Sequence, residues 1–273
     1  MTPMRRPNFQ SLLDLSRIVR SEPRVSIMNI FVKCVLPAVA TLCALAFGSA
    51  NAAVQLSSTR VVFNEKDKSA SIFAKNHGTD PFVVQTWIDG ESEEMETPFF
   101  VTPPLSRFDG NAERSLTITR VGGGMPADRE SYYWLNVLEI PQKKAGAAEN
   151  SLTLATRTRI KLFYRPEAIQ KMPRDASLVQ WSWHKDGSTC QLAIKNTSVF
   201  TVNFSGIDFP GEADGFGRTV VAKPLATTLL PLAKCPNGST KATAKVVNDY
   251  GVVDTWADIT VQHKADAQPG RQQ

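Results

Sequence analysis

The side chains that could do chemistry are few and scattered in this 273-residue sequence. His77, His184 and His263 stand far apart, and none lies in a Ser, Cys or carboxylate pattern that is typical of a catalytic triad. The H-E-x-x-H, phosphate-loop and dinucleotide motifs are missing, and the run from Gly122 to Gly124 lacks the Lys and the helix of a phosphate loop. We therefore predict that the protein is not an enzyme, and we expect no cofactor and no metal site.

One acidic run comprises Glu91, Glu93, Glu94 and Glu96. Carboxylates at this density could bind calcium, which takes oxygen ligands. Charged runs between strands are more often solvated, so we interpret this one as a solvent-exposed hairpin, with a calcium site as the alternative.

The basic excess of the chain lies in its first 52 residues. The whole sequence has 31 Lys and Arg against 26 Asp and Glu, a formal net charge of +5. Residues 1–52 hold six basic and two acidic side chains, which leaves 25 basic and 24 acidic side chains, or +1, for the remainder. Because no basic stripe interleaved with aromatic residues is present, we expect no nucleic-acid partner.

The N-terminal segment has the pattern of a cleavable signal peptide. A short basic start at Met28–Lys33 precedes an apolar run over residues 34–47 and a small-x-small cleavage site at Ala50–Ala52. The apolar run of 14 residues is shorter than the roughly 20 that a transmembrane helix needs. We therefore predict that residues 1–52 are a leader and that the mature chain does not insert into a membrane.

The number and positions of the cysteines are consistent with export. Cys34 and Cys43 lie in the leader, so only Cys190 and Cys235 remain in the mature chain. Two cysteines in an exported chain form a disulfide more often than a metal pair. We predict a disulfide between Cys190 and Cys235, with a metal pair as the alternative.

The mature sequence alternates short apolar segments with turn formers almost throughout. The predicted strands are residues 61–63, 70–74, 82–88, 115–121, 132–140 and 152–164, then 179–184, 191–195, 201–209, 218–222, 227–232, 242–247 and 255–262. Short strands at this spacing indicate antiparallel β-sandwiches. Residues 166–176 have the composition of a linker. The sequence therefore predicts domains over 53–170 and 171–263, followed by a polar tail over 264–273.

The strand predicted around residues 151–166 is unusually long. At about 14 residues it exceeds the typical five or six, so part of its edge should extend past its own sheet. Its side chains alternate, with Leu152, Leu154 and Thr156 on one face and Arg157, Arg159 and Lys161 on the other. It is either a long core strand with a solvated charged face or a strand that pairs with a partner protein by β-augmentation.

Five segments between Ala53 and Val261 resemble the PapD-like periplasmic chaperones of the chaperone–usher pathway. In chain order they are A-V-Q-L-S-S-T-R-V-V-F-N, F-F-V-T-P-P-L-S-R, D-R-E-S-Y-Y-W-L-N-V-L-E-I-P, T-R-I-K-L-F-Y-R-P and V-N-D-Y-G. The resemblance implies an all-β fold of two immunoglobulin-like β-sandwich domains, set at an angle with a cleft between them.

The resemblance also implies a function. Such a chaperone binds and folds pilus or fimbrial subunits in the periplasm by donor-strand complementation, prevents their premature assembly and delivers them to an outer-membrane usher. It leaves open whether the unbound chain self-associates through its exposed strand. The alternative from another class is a structural pilus subunit or adhesin with immunoglobulin-like domains.

The resemblance assigns roles to particular side chains. Arg60 and Lys161 match the two basic residues that hold the C-terminal carboxylate of the subunit. Leu152, Leu154 and Thr156 match the donor-strand positions that enter the groove of the subunit. Thr156 departs from the pattern, because a larger aliphatic residue is usual there. This departure either weakens the donor face by one pocket contact or suggests subunits with a smaller pocket at that position.

Three charged residues match a cluster that sets the angle between the domains: Glu130, Arg165 and Asp249. The peptide bond between Thr102 and Pro103 matches a turn that can be cis, although the sequence does not show which isomer is present.

Cleavage of the leader is directly testable. We expect N-terminal sequencing of the exported protein to read Ala53-Val54-Gln55-Leu56. The initiator is one of Met1, Met4 and Met28, and the sequence pattern favours Met28. A mature protein that begins at Met1 or Met4 would show that the leader prediction is wrong.

Overall fold

The computed structural model of the protein describes residues 54–142, 154–187, 189–211, 216 and 219–264. The predicted leader, with its three candidate initiator methionines, lies outside these residues. So do Leu152 of the predicted donor strand and the predicted tail apart from Lys264.

The first sandwich contains nine strands among the described residues. They are β1 (Val54–Leu56), β2 (Arg60–Asn64), β3 (Ser69–Asn76), β4 (Phe82–Asp89), β5 (Phe99–Thr102), β6 (Leu105–Phe108), β7 (Glu113–Arg120), β8 (Ser131–Pro141) and β9 (Thr156–Arg165). One sheet has the order β1-β3-β7-β5 and the other has the order β2-β9-β8-β4-β6. All of these neighbours pair antiparallel except β2 and β9, which are parallel.

Alternation of apolar side chains along the strands forms the core between the two sheets. In β2, Val61 and Phe63 are buried while their neighbours are partly exposed, as expected for a strand with one face toward the core. Phe63 is fully buried, and its ring lies 5.3 Å from the ring of Phe99 in the opposite sheet. Leu116 and Leu162 complete the same apolar layer.

The segment after β9 is more ordered than a simple linker. Two short 3-10 helices span Glu167–Ile169 and Ala176–Leu178, and Ile169 is fully buried. The Asp175 carboxylate accepts a hydrogen bond from the backbone N–H of Ser177 and so begins the second helix.

The second sandwich has seven strands among the described residues. They are β10 (Val179–Asp186), β11 (Thr189–Asn196), β12 (Val202–Asp208), β13 (Val220–Ala222), β14 (Ala226–Leu232), β15 (Thr240–Val247) and β16 (Val253–His263). Strands β10, β11 and β14 form one layer, and β13, β12, β15 and β16 form the other. A short parallel pairing of β10 with β16 joins the two layers.

The predicted disulfide between Cys190 and Cys235 is present, with the Cα atoms 5.4 Å apart. The register of β11 with β14 pairs Cys190 with Leu232, so the chain brings Cys235 to the same end of the sheet three residues later. The bond therefore ties the end of β14 to the neighbouring strand.

The predicted fold of two immunoglobulin-like sandwiches is confirmed, but three strands escaped the sequence analysis. These are β1, β5 and β6, which have only three or four residues each. Strands β5 and β6 flank the cis peptide bond between Thr102 and Pro103. Because Pro103 and Pro104 read as a turn, the short strands on either side were not distinguishable from loop.

A core truncation should show how strongly the first sandwich depends on its apolar layer. We expect Phe63→Ala to lower the free energy of unfolding by about 3–5 kcal/mol, because it leaves a cavity between the sheets. The matched control is Phe73→Ala, since Phe73 is 52% exposed on β3 and should change stability by less than about 1 kcal/mol. Urea denaturation measures both values, and equal losses would contradict the assignment of Phe63 to the core.

Candidate functional site

The parallel pairing of β2 with β9 brings two basic side chains together. Its register sets Arg60 opposite Lys161 and continues to Asn64 opposite Arg165. Side chains of register partners leave a sheet on the same face, and the adjacent residues Val61 and Leu162 face the core. The two cations, 101 positions apart in sequence, therefore project side by side away from the core of the first sandwich. We call them the cationic pair.

The second sandwich provides hydrogen-bond acceptors for both members of the cationic pair. Nη1 of Arg60 donates to the backbone carbonyl of Val247 at 3.0 Å, and Nζ of Lys161 donates to Oδ1 of Asn203. The ring centroids of Tyr132 and Trp134 lie 5.5 and 5.3 Å from the same Nζ, within cation–π range. No sequence signal distinguished Asn203 or Val247, because their role comes from the way the two domains meet.

Burial makes charge at this site costly. Burial and, second, the positive charge of Arg60 lower the pKa of Lys161 to about 8. Burial also lowers the pKa of the Arg60 guanidinium, although Asp249 opposes that effect. At neutral pH both groups stay protonated, so the pair is a partly dehydrated positive site that an anion would stabilise.

The pair also has unused hydrogen-bonding capacity. Nε of Arg60 is buried and has no hydrogen-bond partner among the described residues. A buried donor without an acceptor costs about 1–3 kcal/mol. A carboxylate oxygen would satisfy this donor and would form charge-assisted hydrogen bonds, so the geometry and charge of the pair fit a carboxylate ligand.

The acidic run is exposed as predicted, but it is not a hairpin, and Glu91 and Glu93 form ion pairs. It connects β4 to β5, which lie in different sheets. Glu91 forms an ion pair at 2.7 Å with Lys223 of the second sandwich. Burial alone would raise the pKa of Glu91, but hydrogen bonds from Lys223 and Tyr132 outweigh it and lower that pKa. The partners come from distant parts of the chain, and for this reason the local composition did not reveal them.

The three charged residues assigned to the interdomain cluster lie together. Arg165 donates to Glu130 at 2.9 Å and to Asp249 at 2.9 Å. Glu130 also accepts a hydrogen bond at 2.9 Å from the backbone N–H of Thr201, the residue before β12. Arg174 is a fourth member that the sequence analysis missed, and it donates to Asp249 from the linker. The cluster thus joins β9, the linker and two segments of the second sandwich.

The charges in this cluster stabilise one another. Burial opposes the charge of Arg165, but hydrogen bonds and ion pairs with Asp249 and Glu130 raise the pKa of its guanidinium overall. Burial likewise opposes the charge of Asp249, while Arg165 and Arg174 lower its pKa below the ordinary value. A buried network of this kind is weak evidence for stability, but it restricts the orientations in which all of its members are satisfied.

Strand β9 is shorter than predicted. The described strand has 10 residues and begins at Thr156, whereas the prediction extended about four residues further toward the N-terminus. Strand β8 pairs Glu139 with Thr156, and in that register Pro141 would face Leu154. The ladder ends at Thr156, so neither Ala155 nor Leu154 pairs with β8. Leu154 is 71% exposed.

One edge of β9 is only partly covered. Strand β8 pairs with β9 from Thr156 to Tyr164, but on the other side β2 pairs only with Lys161 to Arg165. Residues 156–160 therefore have a free edge among the described residues. That free edge begins directly beside the cationic pair.

Neither a metal cluster nor a membrane span is found in the part of the chain that the structure describes. No group of three or more His, Cys, Asp or Glu residues there could hold a metal ion. None of the described helices is long and apolar enough to cross a membrane.

Comparison with known proteins places these features in a family. Residues 53–170 match the model of the pili and flagellar-assembly chaperone PapD N-terminal domain, and residues 176–256 match that of the pili assembly chaperone PapD C-terminal domain. The chain is 34% identical over 221 residues to the probable fimbrial chaperone YadV of Escherichia coli strain K12, covering 77% of this chain and 89% of YadV. It is also 34% identical over 215 residues to the chaperone protein LpfB of Salmonella typhimurium, covering 77% of this chain and 88% of LpfB.

Solved structures of chaperones are also similar to this chain. The crystal structure of the YadV chaperone superposes with a TM-score of 0.61 at 30% identity, covering 75% of this chain and 98% of that one. The SafB chaperone, solved in complex with the SafA pilin of Salmonella enterica, shares the fold with a TM-score of 0.63 at 24% identity, covering 77% of this chain and 98% of that one. Both family models together span more than half of the sequence, and the chain therefore belongs to the PapD family of pili-assembly chaperones.

Proposed function

We propose that this chain is a periplasmic chaperone that binds and folds pilus or fimbrial subunits by donor-strand complementation, prevents their premature assembly and delivers them to an outer-membrane usher. The observation that carries the proposal is the adjacency of the cationic pair and the free edge of β9. The complex of the similarly folded SafB chaperone with a pilin supports a subunit as the partner.

The cationic pair would anchor the C-terminal carboxylate of the subunit. Two adjacent cations can each donate to one carboxylate, and such charge-assisted bonds fix the position of the chain end. Nε of Arg60 is a buried donor already present in the site, and Nζ of Lys161 could exchange its bond to Asn203 for one to the carboxylate. The anchor would therefore set the register of everything that precedes it in the subunit.

The proposed anchor would also set the direction of the bound subunit strand. A peptide that ends at the cationic pair and lies along the free edge would extend from Lys161 toward Thr156. Its C-terminus would then lie at the C-terminal end of the free segment, so the peptide would run parallel to β9, as β2 does. Main-chain hydrogen bonds would supply affinity, and side chains of the donor segment would supply specificity.

The donor side chains have the exposure that this function needs. Leu154 is 71% exposed in the unbound chain, and full burial of such a side chain contributes about 1.5–3 kcal/mol. Thr156 is also exposed and offers less apolar surface. We infer that the subunits have a shallower pocket at the position that faces Thr156.

The compartment follows from the leader and the disulfide. The predicted signal peptide would export the chain, and disulfides persist in oxidising compartments such as the bacterial periplasm. The bond between Cys190 and Cys235 is consistent with folding there.

Removal of the cationic pair tests the anchor. We expect the double variant Arg60→Ala with Lys161→Ala to lose at least about 30-fold in affinity for a subunit, since loss of one desolvated charged partner costs about 2–5 kcal/mol. The measurement is co-purification from the periplasm after co-expression with a pilin-type subunit.

The matched control is Arg107→Ala with Lys66→Ala, because both side chains form exposed ion pairs in the same domain. It should retain the subunit at the wild-type level. Equal subunit recovery with the anchor variant and with the control would falsify the proposed anchor.

The low pKa of Lys161 predicts a pH dependence of binding. The ammonium loses its proton as pH rises through about 8, whereas the carboxylate of the subunit stays ionised. We expect the affinity for a peptide with a free C-terminal carboxylate to fall by up to about tenfold per pH unit above that value.

Fluorescence anisotropy at pH 7, 8, 9 and 10 would measure the fall. The Lys161→Arg variant should show no such dependence, because its guanidinium stays charged in this range. An amidated peptide should bind weakly at every pH. A parallel fall for the wild type and for Lys161→Arg would contradict the assignment to Lys161.

A further inference from the structure

The free-edged segment of β9 has two arginines on the face that points away from the core. Arg157 and Arg159 both extend across β8 toward the end of β4. They meet there at one carboxylate: Nη2 of Arg157 lies 3.1 Å from Oδ2 of Asp89, and Nη2 of Arg159 lies 2.8 Å from Oδ1. Each arginine therefore uses a separate oxygen of the same side chain.

Asp89 is suited to hold both arginines in place. Its side chain is only 2% exposed, and Nε1 of Trp87 donates to it at 3.3 Å. Arg157 has a second bond, from its Nε to Oδ1 of Asn136 at 2.8 Å. The guanidinium groups also lie over indole rings, that of Arg157 5.1 Å from Trp87 and that of Arg159 4.5 Å from Trp134.

The same array reaches the cationic pair. Asp89 is the register partner of Trp134, and Trp134 is the register partner of Lys161. The indole ring of Trp134 therefore has two cations near it, Arg159 and Lys161, with Nζ of Lys161 at 5.3 Å from its centroid. Asp89, the two arginines and Lys161 form one contiguous set of contacts on this face of the sheet.

Few other contacts restrain this part of β9. Its ladder to β8 covers one edge only, and among residues 156–160 only Ile160 is buried in the core. Glu93 adds an ion pair to Arg159 at 3.1 Å, but that carboxylate is exposed. Asp89 is thus the buried carboxylate that holds both arginines of the segment.

We propose that Asp89 is a positioning residue that, through Arg157 and Arg159, holds residues 156–160 of β9 extended and in place relative to Lys161. The inference rests on the proposed function, since this segment would pair with the subunit while Lys161 holds its carboxylate. Loss of Asp89 would leave the anchor residues and the donor side chains unchanged. The position of residues 156–160 relative to Lys161 would, however, become less restricted.

Hydrogen exchange on the free chaperone tests the proposal without any subunit. In Asp89→Asn we expect those amides of residues 156–160 that bond to β8 to exchange at least about tenfold faster, while the protected amides of residues 161–165, which β2 also covers, keep their wild-type rates. Asp89→Glu keeps the charge and should restore slow exchange. The matched control is Asp109→Asn, which breaks an exposed ion pair with Arg107 in the same domain and should change neither segment.

A second variant tests the same contacts without changing Asp89. Arg157→Gln with Arg159→Gln breaks the same ion pairs by changing the two arginines, which are more exposed than Asp89. It should accelerate hydrogen exchange in residues 156–160 and not in residues 161–165. Equal acceleration of both segments would overturn the proposal, because it would show a general loss of stability. Unchanged exchange over residues 156–160 in both variants would overturn it as well.

Co-purification with a subunit then links this arrangement to capture. We expect Asp89→Asn to retain several-fold less subunit than the wild type and Asp89→Glu to recover most of it. Wild-type capture by Asp89→Asn would overturn the positioning role. The two hypotheses can fail separately: full capture by the Arg60 and Lys161 variant contradicts the proposed function, whereas the exchange experiment tests Asp89 alone.

Discussion

The site depends on the parallel pairing of β2 with β9. This single register sets Arg60 beside Lys161, although two like charges at close range repel one another and both groups are partly dehydrated. The arrangement persists because the backbone ladder and the buried side chains of Val61 and Leu162 determine where the strands lie. The fold therefore holds two cations side by side despite their mutual repulsion. An anionic ligand would bind more favourably because the site is already formed before it binds.

The second sandwich takes part in the site. Asn203 and the carbonyl of Val247 accept hydrogen bonds from the cationic pair, and Lys223 pairs with Glu91 beside it. The cluster around Arg165 also connects the first sandwich to the second, through ion pairs with Glu130 and Asp249. Buried ion pairs are weak evidence for stability, and we expect this cluster to restrict the domains to one orientation. A change in that orientation would alter the environment of both anchor cations.

Strand β9 combines two tasks that place opposite demands on it. Its C-terminal half is covered on both edges and contributes Leu162 and Tyr164 to the core. Its N-terminal half has a free edge among the residues that the structure describes, and a free edge is an aggregation hazard in an ordinary sandwich. Arg157 and Arg159 add charge to that half, a common protection of exposed edges, and their contacts with Asp89 keep it ordered.

The sequence by itself determined the features that depend on local pattern. Alternation predicted that Arg157, Arg159 and Lys161 share the face opposite to that of Thr156, because the two-residue period is a property of any strand. The oxidising compartment expected for an exported chain predicted the disulfide. Family motifs indicated which charged residues lie together. The tertiary structure alone decided where β9 begins, because the ladder to β8 ends at Thr156 opposite Glu139. It also decided the partners of Asp89, Glu91 and Lys161, since these come from long-range register and from the meeting of two domains, which no local spacing encodes.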